Sequence, residues 1–97
     1  MTEIEPRCAP IVDGWRCQVA VRDDAGAGEH EVTVAALDAE RLAAATTAAG
    51  VERLVFETFD FLLEREPRGS ILQAFDITVV GRYFPEYDDE IRSRLAP

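Results

Sequence analysis

The sequence contains no lysine, only two cysteines and a single histidine. All ten basic residues are arginine, and nineteen acidic residues give the chain a formal net charge of −9. A chain this acidic lacks the basic face that general binding to phosphate backbones requires. The shortage of basic residues also argues against binding to anionic membrane surfaces. It also lacks an apolar run of the roughly 18 residues needed to span a bilayer. We therefore predict no direct binding to nucleic acid and no membrane association.

The first ten residues, MTEIEPRCAP, have neither the basic region nor the apolar stretch of a secretory signal, which predicts a cytoplasmic protein. In that compartment disulfides are rare. Cys8 and Cys17 are therefore predicted to be buried or half-buried free thiols, although their number alone would permit a disulfide. Because Cys8, Cys17 and His30 lack the pair spacing of a zinc site, we predict no metal and no cofactor.

The stretch Val51–Glu66, VERLVFETFDFLLERE, is predicted to be the central helix of a single α+β domain that spans residues 1–97. Its apolar residues cover roughly 220° of the helix circumference, whereas a helix lying on one surface needs only about 100°. A small sheet on one side and C-terminal helices on the other could cover this arc. A second copy of the chain is the alternative.

The segment before this helix is predicted to form an antiparallel β hairpin or a three-stranded meander. Trp15–Arg22 alternates between apolar and polar residues, and His30–Ala35 returns as the next strand, with His30 at the surface. Asp13-Gly14 is a hairpin signal that would join a first strand around Arg7–Val12 to the second. That first strand contains two prolines four residues apart, which remove donors on one side only, as an edge strand tolerates.

About four helices, packed around the 51–66 helix, are predicted for the remainder. Asp38 is placed to cap a helix over Ala39–Ala48. Ser70 and Gln73 have the spacing of a capping box that would begin a short helical turn through Phe75. Asp88 then opens a last helix, whose early acids and late arginines suit the helix dipole.

The segment Ile77–Phe84, ITVVGRYF, fits either a strand or a helix, because its β-branched residues favour the former and its apolar spacing the latter. The C-terminal half as a whole, through FDFLLEREP, SIL, FDI and RYFPEYDDEI, resembles a group of small bacterial proteins that generally carry no assigned function. The resemblance covers about Phe59 to Ile91. It implies a helix at Ile77–Phe84, and it implies no activity, cofactor or catalytic residue.

The string RYFPEY is the best candidate for a binding surface. It places two tyrosines, a phenylalanine and an arginine beside a chain break, and tyrosine and arginine dominate interface hot spots. Arg82, Tyr83 and Tyr87, together with Arg68, are the predicted partner-binding residues. The alternative is that Tyr87 packs the last helix onto the core and that Arg68 forms an ion pair with a nearby acid.

The sequence shows no nucleophile motif, metal-ligand set or cofactor fingerprint, so we predict a protein that is not an enzyme. The leading hypothesis is a small cytoplasmic protein-interaction module, an adaptor or accessory subunit that could be homodimeric, with an unknown protein partner. One alternative is an antitoxin-like or regulatory protein that binds a basic partner. Another is a small hydrolase that uses a carboxylate pair from Glu64, Glu66 and Asp76.

Overall fold

The computed structural model of residues 1–97 has a four-stranded β-sheet in the order β1-β2-β3-β4, with helices packed against one face. The elements in chain order are β1 (Glu3–Ile11), β2 (Gly14–Asp23), β3 (Gly26–Ala35), α1 (Ala36–Ala43), α2 (Ala48–Leu63), a 3-10 turn (Arg68–Ser70), β4 (Ala74–Asp76), α3 (Thr78–Tyr83) and α4 (Tyr87–Leu95). The predicted α+β fold is confirmed, because a three-stranded antiparallel meander is followed by four α-helices.

Alternation of apolar and polar residues gives the sheet one buried and one exposed face. The side chains that point towards the helices and are buried are Cys17, Val19, Val21, Val32 and Val34. Their neighbours on β2, such as Arg16 and Gln18, point the other way and are exposed. The meander is longer than predicted, since β2 and β3 pair as far as Asp23 and Gly26.

The first strand is an edge strand, as its prolines indicate. Cys8 lies opposite Cys17 in β2, and its backbone N–H turns away from that strand and donates to Glu52 Oε2 in α2 at 2.8 Å. Pro6 and Pro10 share the outward orientation of Cys8 and have no N–H at all. The outer side of β1 is therefore poorly suited to pairing with a further strand.

Cys8 and Cys17 form a disulfide between β1 and β2, so the prediction of free thiols is wrong in this structure. The antiparallel register sets the two residues directly opposite each other, with their Cα atoms 4.0 Å apart. The prediction weighed the compartment alone, whereas this proximity follows from the strand pairing. In the chain-entropy account, closing a loop of this length stabilises the fold by roughly 2–3 kcal/mol.

Helix α2 is the centre of the core. Thr47 caps it by accepting a hydrogen bond from Gly50 N–H at 3.2 Å, so the helix begins three residues before the predicted start, and it ends at Leu63. Its buried residues are Val51, Leu54, Val55, Thr58, Phe59, Phe61 and Leu62. Strands β1 and β2 cover one side of it and α1 and α4 cover the other, which leaves Phe56 39% exposed. The wide apolar arc is thus covered largely within one chain.

Two local predictions around the helix ends are wrong. Helix α1 begins at Ala36, directly after β3, because the Ala36 N–H donates to the Asp13 carbonyl at 2.9 Å in the hairpin turn. Asp38 consequently lies within the first turn, where it pairs with Arg41 at 3.1 Å instead of capping the helix. Tertiary contact with the β1–β2 turn sets this helix start.

The predicted helical turn after Ser70 is replaced by strand β4, which lies parallel to β3. Glu31 N–H donates to the Gln73 carbonyl at 2.8 Å, and Ile77 N–H donates to the Thr33 carbonyl at 3.0 Å. A capping box stabilises only a helix that continues, whereas the open edge of β3 offers this segment partners for its backbone groups. The segment Ile77–Phe84 does form a helix, α3, as the resemblance implies.

His30 is buried within β3, whereas the sequence predicts it at the surface. Its ring lies 5.3 Å from that of Phe59 in α2, and its Nδ1 is 2.8 Å from the Leu72 carbonyl oxygen. Because a carbonyl can only accept, Nδ1 carries the proton and Nε2 is left without a partner. The histidine therefore anchors the chain just before β4 to the sheet.

Candidate partner-binding groove

An apolar groove lies between the end of α2, the chain leading into β4, and helix α3. Its volume is about 390 Å³. The ten residues that line it, which we call the groove residues, are Leu62, Glu66, Ser70, Ile71, Leu72, Phe75, Val79, Val80, Tyr83 and Phe84. Eight of the ten are hydrophobic, so the groove can accept apolar groups but offers few polar contacts.

The groove has a buried floor and an exposed rim. Leu62, Ile71 and Val80 are each less than a tenth exposed and form part of the floor. On the rim, Leu72 is 50% exposed and Tyr83 is 70% exposed. Large apolar side chains that remain this exposed beside a concave surface are typical of a binding site.

The short helix α3 carries one wall of the groove. Asp76 holds its start, because the Asp76 carboxylate accepts from both the backbone N–H and the hydroxyl of Thr78. The helix ends at Tyr83, since Phe84 turns to an extended conformation immediately before Pro85. This early end leaves Tyr83 on the last turn of the helix, where it lines the groove and is largely exposed.

Arg82 and Tyr83, two of the four predicted partner-binding residues, are exposed, and Tyr83 lines the groove. Arg82 takes part in none of the ion pairs of the structure. Both side chains are therefore free to contact another molecule.

Tyr87 cannot serve as a contact residue, and its prediction as one is wrong. It is 1% exposed, and its hydroxyl lies 2.7 Å from the hydroxyl of Thr58, which in turn donates to the Leu54 carbonyl. Its ring packs edge-on against Phe61. Burial raises the pKa of the Tyr87 hydroxyl well above its usual value. Tyr87 thus fixes α4 to α2, which is the alternative that the sequence left open.

Arg68 is also occupied within the chain and lies away from the groove. Its Nε donates to Asp23 Oδ2 at 3.2 Å, and its Nη1 donates to the Ala27 carbonyl at 3.1 Å, so it clamps the β2–β3 turn. Burial opposes ionisation of Asp23, but the Ala25 N–H and the Arg68 guanidinium outweigh it and lower the pKa of the carboxyl. Arg68 thus forms an internal ion pair, which is the alternative that the sequence left open, and its role in partner contact stays a prediction.

The three carboxylates of the hydrolase hypothesis do not converge on one site. Glu64 accepts from Arg94 at 2.7 Å and from Arg65 at 3.3 Å, and the hydrogen bond from Arg94 is the main reason that the pKa of Glu64 is lowered. Asp76 is bound to Thr78, and Glu66 alone lines the groove. No three His, Cys, Asp or Glu side chains are grouped so that they could hold a metal ion.

Most groove residues lie outside the predicted site. Tyr83 is one of the predicted site residues, but Leu72, Phe75 and Val79 come from segments whose structure was predicted wrongly or left ambiguous. The sequence feature that could have indicated the groove is a set of apolar residues in short segments between chain breaks. No long helix or strand is available there to bury them. Only the parallel pairing of β4 shows that these segments lie side by side.

None of the helices combines the length and apolar character needed to cross a membrane. Comparison of the chain with protein-family models, curated proteins and solved structures yields no significant match.

Proposed function

We propose that this protein is a small interaction module, an adaptor or accessory subunit, that binds a partner protein through the groove. The observation that carries the proposal is the combination of a 390 Å³ apolar concavity with two exposed apolar side chains, Leu72 and Tyr83, on its rim. Exposed tyrosine beside a pocket matches the composition of interface hot spots. Arg82, exposed on the same helix, extends this surface.

The proposal is of binding without catalysis. Apart from Ser70 and Glu66, the groove residues supply only apolar groups and the Tyr83 hydroxyl. A general acid–base or nucleophilic mechanism needs at least two chemical groups within hydrogen-bond distance of one reacting atom. Neither Glu66 nor Ser70 has a hydrogen-bonded partner that would activate it. This chemistry supports recognition of an apolar segment.

Affinity purification from the native lysate, with quantitative mass spectrometry, tests the proposal. We compare the wild type with Leu72→Ala and with a Tyr83→Ala, Arg82→Ala double variant. Leu37→Ala is the matched control, because Leu37 is 79% exposed on α1 and is not a groove residue. We expect a partner that is captured by the wild type and the control and lost from both groove variants.

Unchanged capture by the folded groove variants would contradict the proposal. Folding is verified by circular dichroism and thermal melting, and since both groove positions are at least half exposed we expect stability within about 1 kcal/mol of the wild type. Association of two copies of this chain is a separate outcome, which sedimentation velocity of the purified protein would show.

We propose the cytoplasm as the compartment, and the Cys8–Cys17 pair supplies its test. The structure holds the two cysteines as a disulfide, whereas cytosolic reductants keep most thiols reduced, so in a cytoplasmic protein this disulfide would be opened in growing cells. Rapid acid quenching followed by maleimide labelling should then modify both. A pair that resists labelling until dithiothreitol is added would place the protein in an oxidising compartment instead.

A further inference from the structure

We propose that the groove binds an amphipathic segment of a basic protein, and that a lysine or arginine of this segment pairs with Glu66. This inference rests on the proposed function and names the chemistry of its partner. The apolar side chains of the segment would occupy the space between Leu72 and Tyr83. The cation would lie at the end formed by α2.

The shape of the groove favours a protein segment over a small ligand. Ligand pockets usually enclose most of the ligand surface. Here the rim side chains Leu72 and Tyr83 are 50% and 70% exposed, so this part of the rim is open to solvent. An open apolar groove beside a helix is the kind of surface into which an amphipathic helix or strand places a row of side chains.

The Glu66 carboxylate determines the charge of that segment. Glu66 lines the groove but takes part in no ion pair and no side-chain hydrogen bond. The adjacent Arg65 is engaged by Glu64, Glu86 and the Phe61 carbonyl. An occupant that covered Glu66 without pairing it would leave a desolvated, unpaired charge, which is costly. A cationic side chain removes that cost.

The charge of the whole chain favours the same partner. Nineteen acids face ten arginines, and six of those arginines are already in ion pairs within the chain: Arg22, Arg41, Arg65, Arg68, Arg92 and Arg94. A field of this sign speeds the approach of a basic protein. A second copy of this chain would bring another net charge of −9, so overall charge repulsion opposes a second copy as the occupant of the groove.

A random 12-residue peptide library displayed on phage tests the inference. Selection uses immobilised wild-type protein, with counter-selection against a Leu72→Asp, Tyr83→Ala variant, so that only groove-dependent peptides are retained. We expect the enriched peptides to combine spaced apolar residues with at least one lysine or arginine. Synthetic versions then provide defined probes for fluorescence anisotropy.

Two charge-neutralising variants separate the pairing from the overall field. Glu66→Gln should weaken binding of an enriched peptide by about fivefold, the value of a modest ion pair. Glu40→Gln changes the net charge equally at an exposed position on α1 and should change affinity by less than about twofold. Replacing the peptide lysine or arginine with glutamine should abolish the difference between Glu66→Gln and the wild type.

The outcomes distinguish this inference from the proposed function. Groove-dependent peptides without a basic residue, or peptides that bind Glu66→Gln as tightly as the wild type, would overturn the pairing while leaving the interaction module intact. A library that yields no peptide able to distinguish the wild type from the counter-selection variant would overturn both. A dimer that dissociates on Tyr83→Ala would also overturn the inference, because the occupant would be a second copy.

Discussion

Near its C-terminal end, helix α2 has one flank that is covered by α4, which we call the closed flank, and one flank that borders the groove, which we call the open flank. On the closed flank Phe61 is fully buried, with Tyr87 and Phe84 edge-on to its ring and the Arg65 guanidinium 3.6 Å from its centroid. On the open flank Leu62 and Val80 form a floor with no such cover, and Tyr83 stays 70% exposed. Both flanks are rich in apolar residues, so composition does not distinguish them.

The difference comes from the length and contents of the covering elements. Helix α4 has nine residues and contributes Tyr87, Ile91 and the Arg94 network to the closed flank. The open flank is bordered by the segment 70–72, by β4, with three residues, and by α3, with six residues including Gly81. Short elements bury little area, so apolar surface remains exposed where a partner can use it.

The largest contrast should appear on truncation of the two flanks. Phe61→Ala removes a fully buried ring from the closed flank and should lower the free energy of unfolding by about 3–5 kcal/mol. Leu72→Ala, at a half-exposed position on the open flank, should lower it by less than about 1 kcal/mol. Urea titration followed by circular dichroism measures both. Equal decreases in the free energy of unfolding for the two variants would mean that the open flank is as tightly packed as the closed flank.

Tyr87→Phe tests the polar contact within the closed flank. Thr58 keeps its hydrogen bond to the Leu54 carbonyl, so the loss should be about 1 kcal/mol near neutral pH. Burial raises the pKa of Tyr87 in the folded state, so its contribution is complete below the unfolded pKa of about 10 and declines as pH rises above it.

Stability measured from pH 8 to pH 11.5 should therefore fall less steeply in Tyr87→Phe than in the wild type. Tyr83→Phe, on the exposed rim, is the control and should retain the wild-type slope. An identical slope in Tyr87→Phe and the wild type would show that Tyr87 ionises as easily folded as unfolded.

Gly81→Ala should stabilise helix α3, which borders the open flank. Alanine in a helix is favoured over glycine by up to about 1 kcal/mol, and the added Cβ would lie 3.4 Å from Asp88 Oδ1, an ordinary contact. We expect the free energy of unfolding to rise by about 0.5–1 kcal/mol in urea titrations. Gly69→Ala, in the 3-10 turn with no atom near its Cβ, should change stability by less than about 0.5 kcal/mol. A lower free energy of unfolding in Gly81→Ala would show that α3 cannot accommodate the added methyl group.

The smallest effect is expected at the ion pairs that border the closed flank. Arg94 contacts Asp60, Glu64 and Glu90 at 3.1, 2.7 and 3.0 Å, so Arg94→Gln should cost a few tenths to about 1 kcal/mol at pH 7. The folded-state pKa of Glu64 is lowered, so its stabilisation is present above the unfolded pKa of about 4.3 and is lost as pH falls through the folded value.

The difference between Arg94→Gln and the wild type should consequently shrink in thermal melts as the pH is lowered below the unfolded pKa of Glu64. Arg53→Gln is the control, because Arg53 is exposed on α2 and forms no ion pair. A difference between Arg94→Gln and the wild type that persists at low pH would assign the effect to the Arg94 guanidinium itself, which lies 5.7 Å from the centroid of the Phe61 ring.

Much of the fold could be predicted because its signals are local. Residue alternation in Trp15–Arg22 and the helical spacing after Val51 depend only on neighbouring residues, and both elements form as expected. The site was predicted less well. RYFPEY contains both an exposed and a buried tyrosine, Tyr83 and Tyr87, and the string itself does not say which side of α4 faces α2. That choice depends on Thr58, which is 29 residues from Tyr87.

Local patterns in the sequence were enough to predict an antiparallel hairpin or meander, the central helix, an edge position for a first strand and an excess of acidic residues. These follow from periodicity, proline placement and charge, which need no knowledge of distant partners. The same local patterns could not predict the Cys8–Cys17 pairing, strand β4, the burial of His30 or the open groove. Each of these joins residues from separate elements, and the free energy that selects them exists only once those elements pack together.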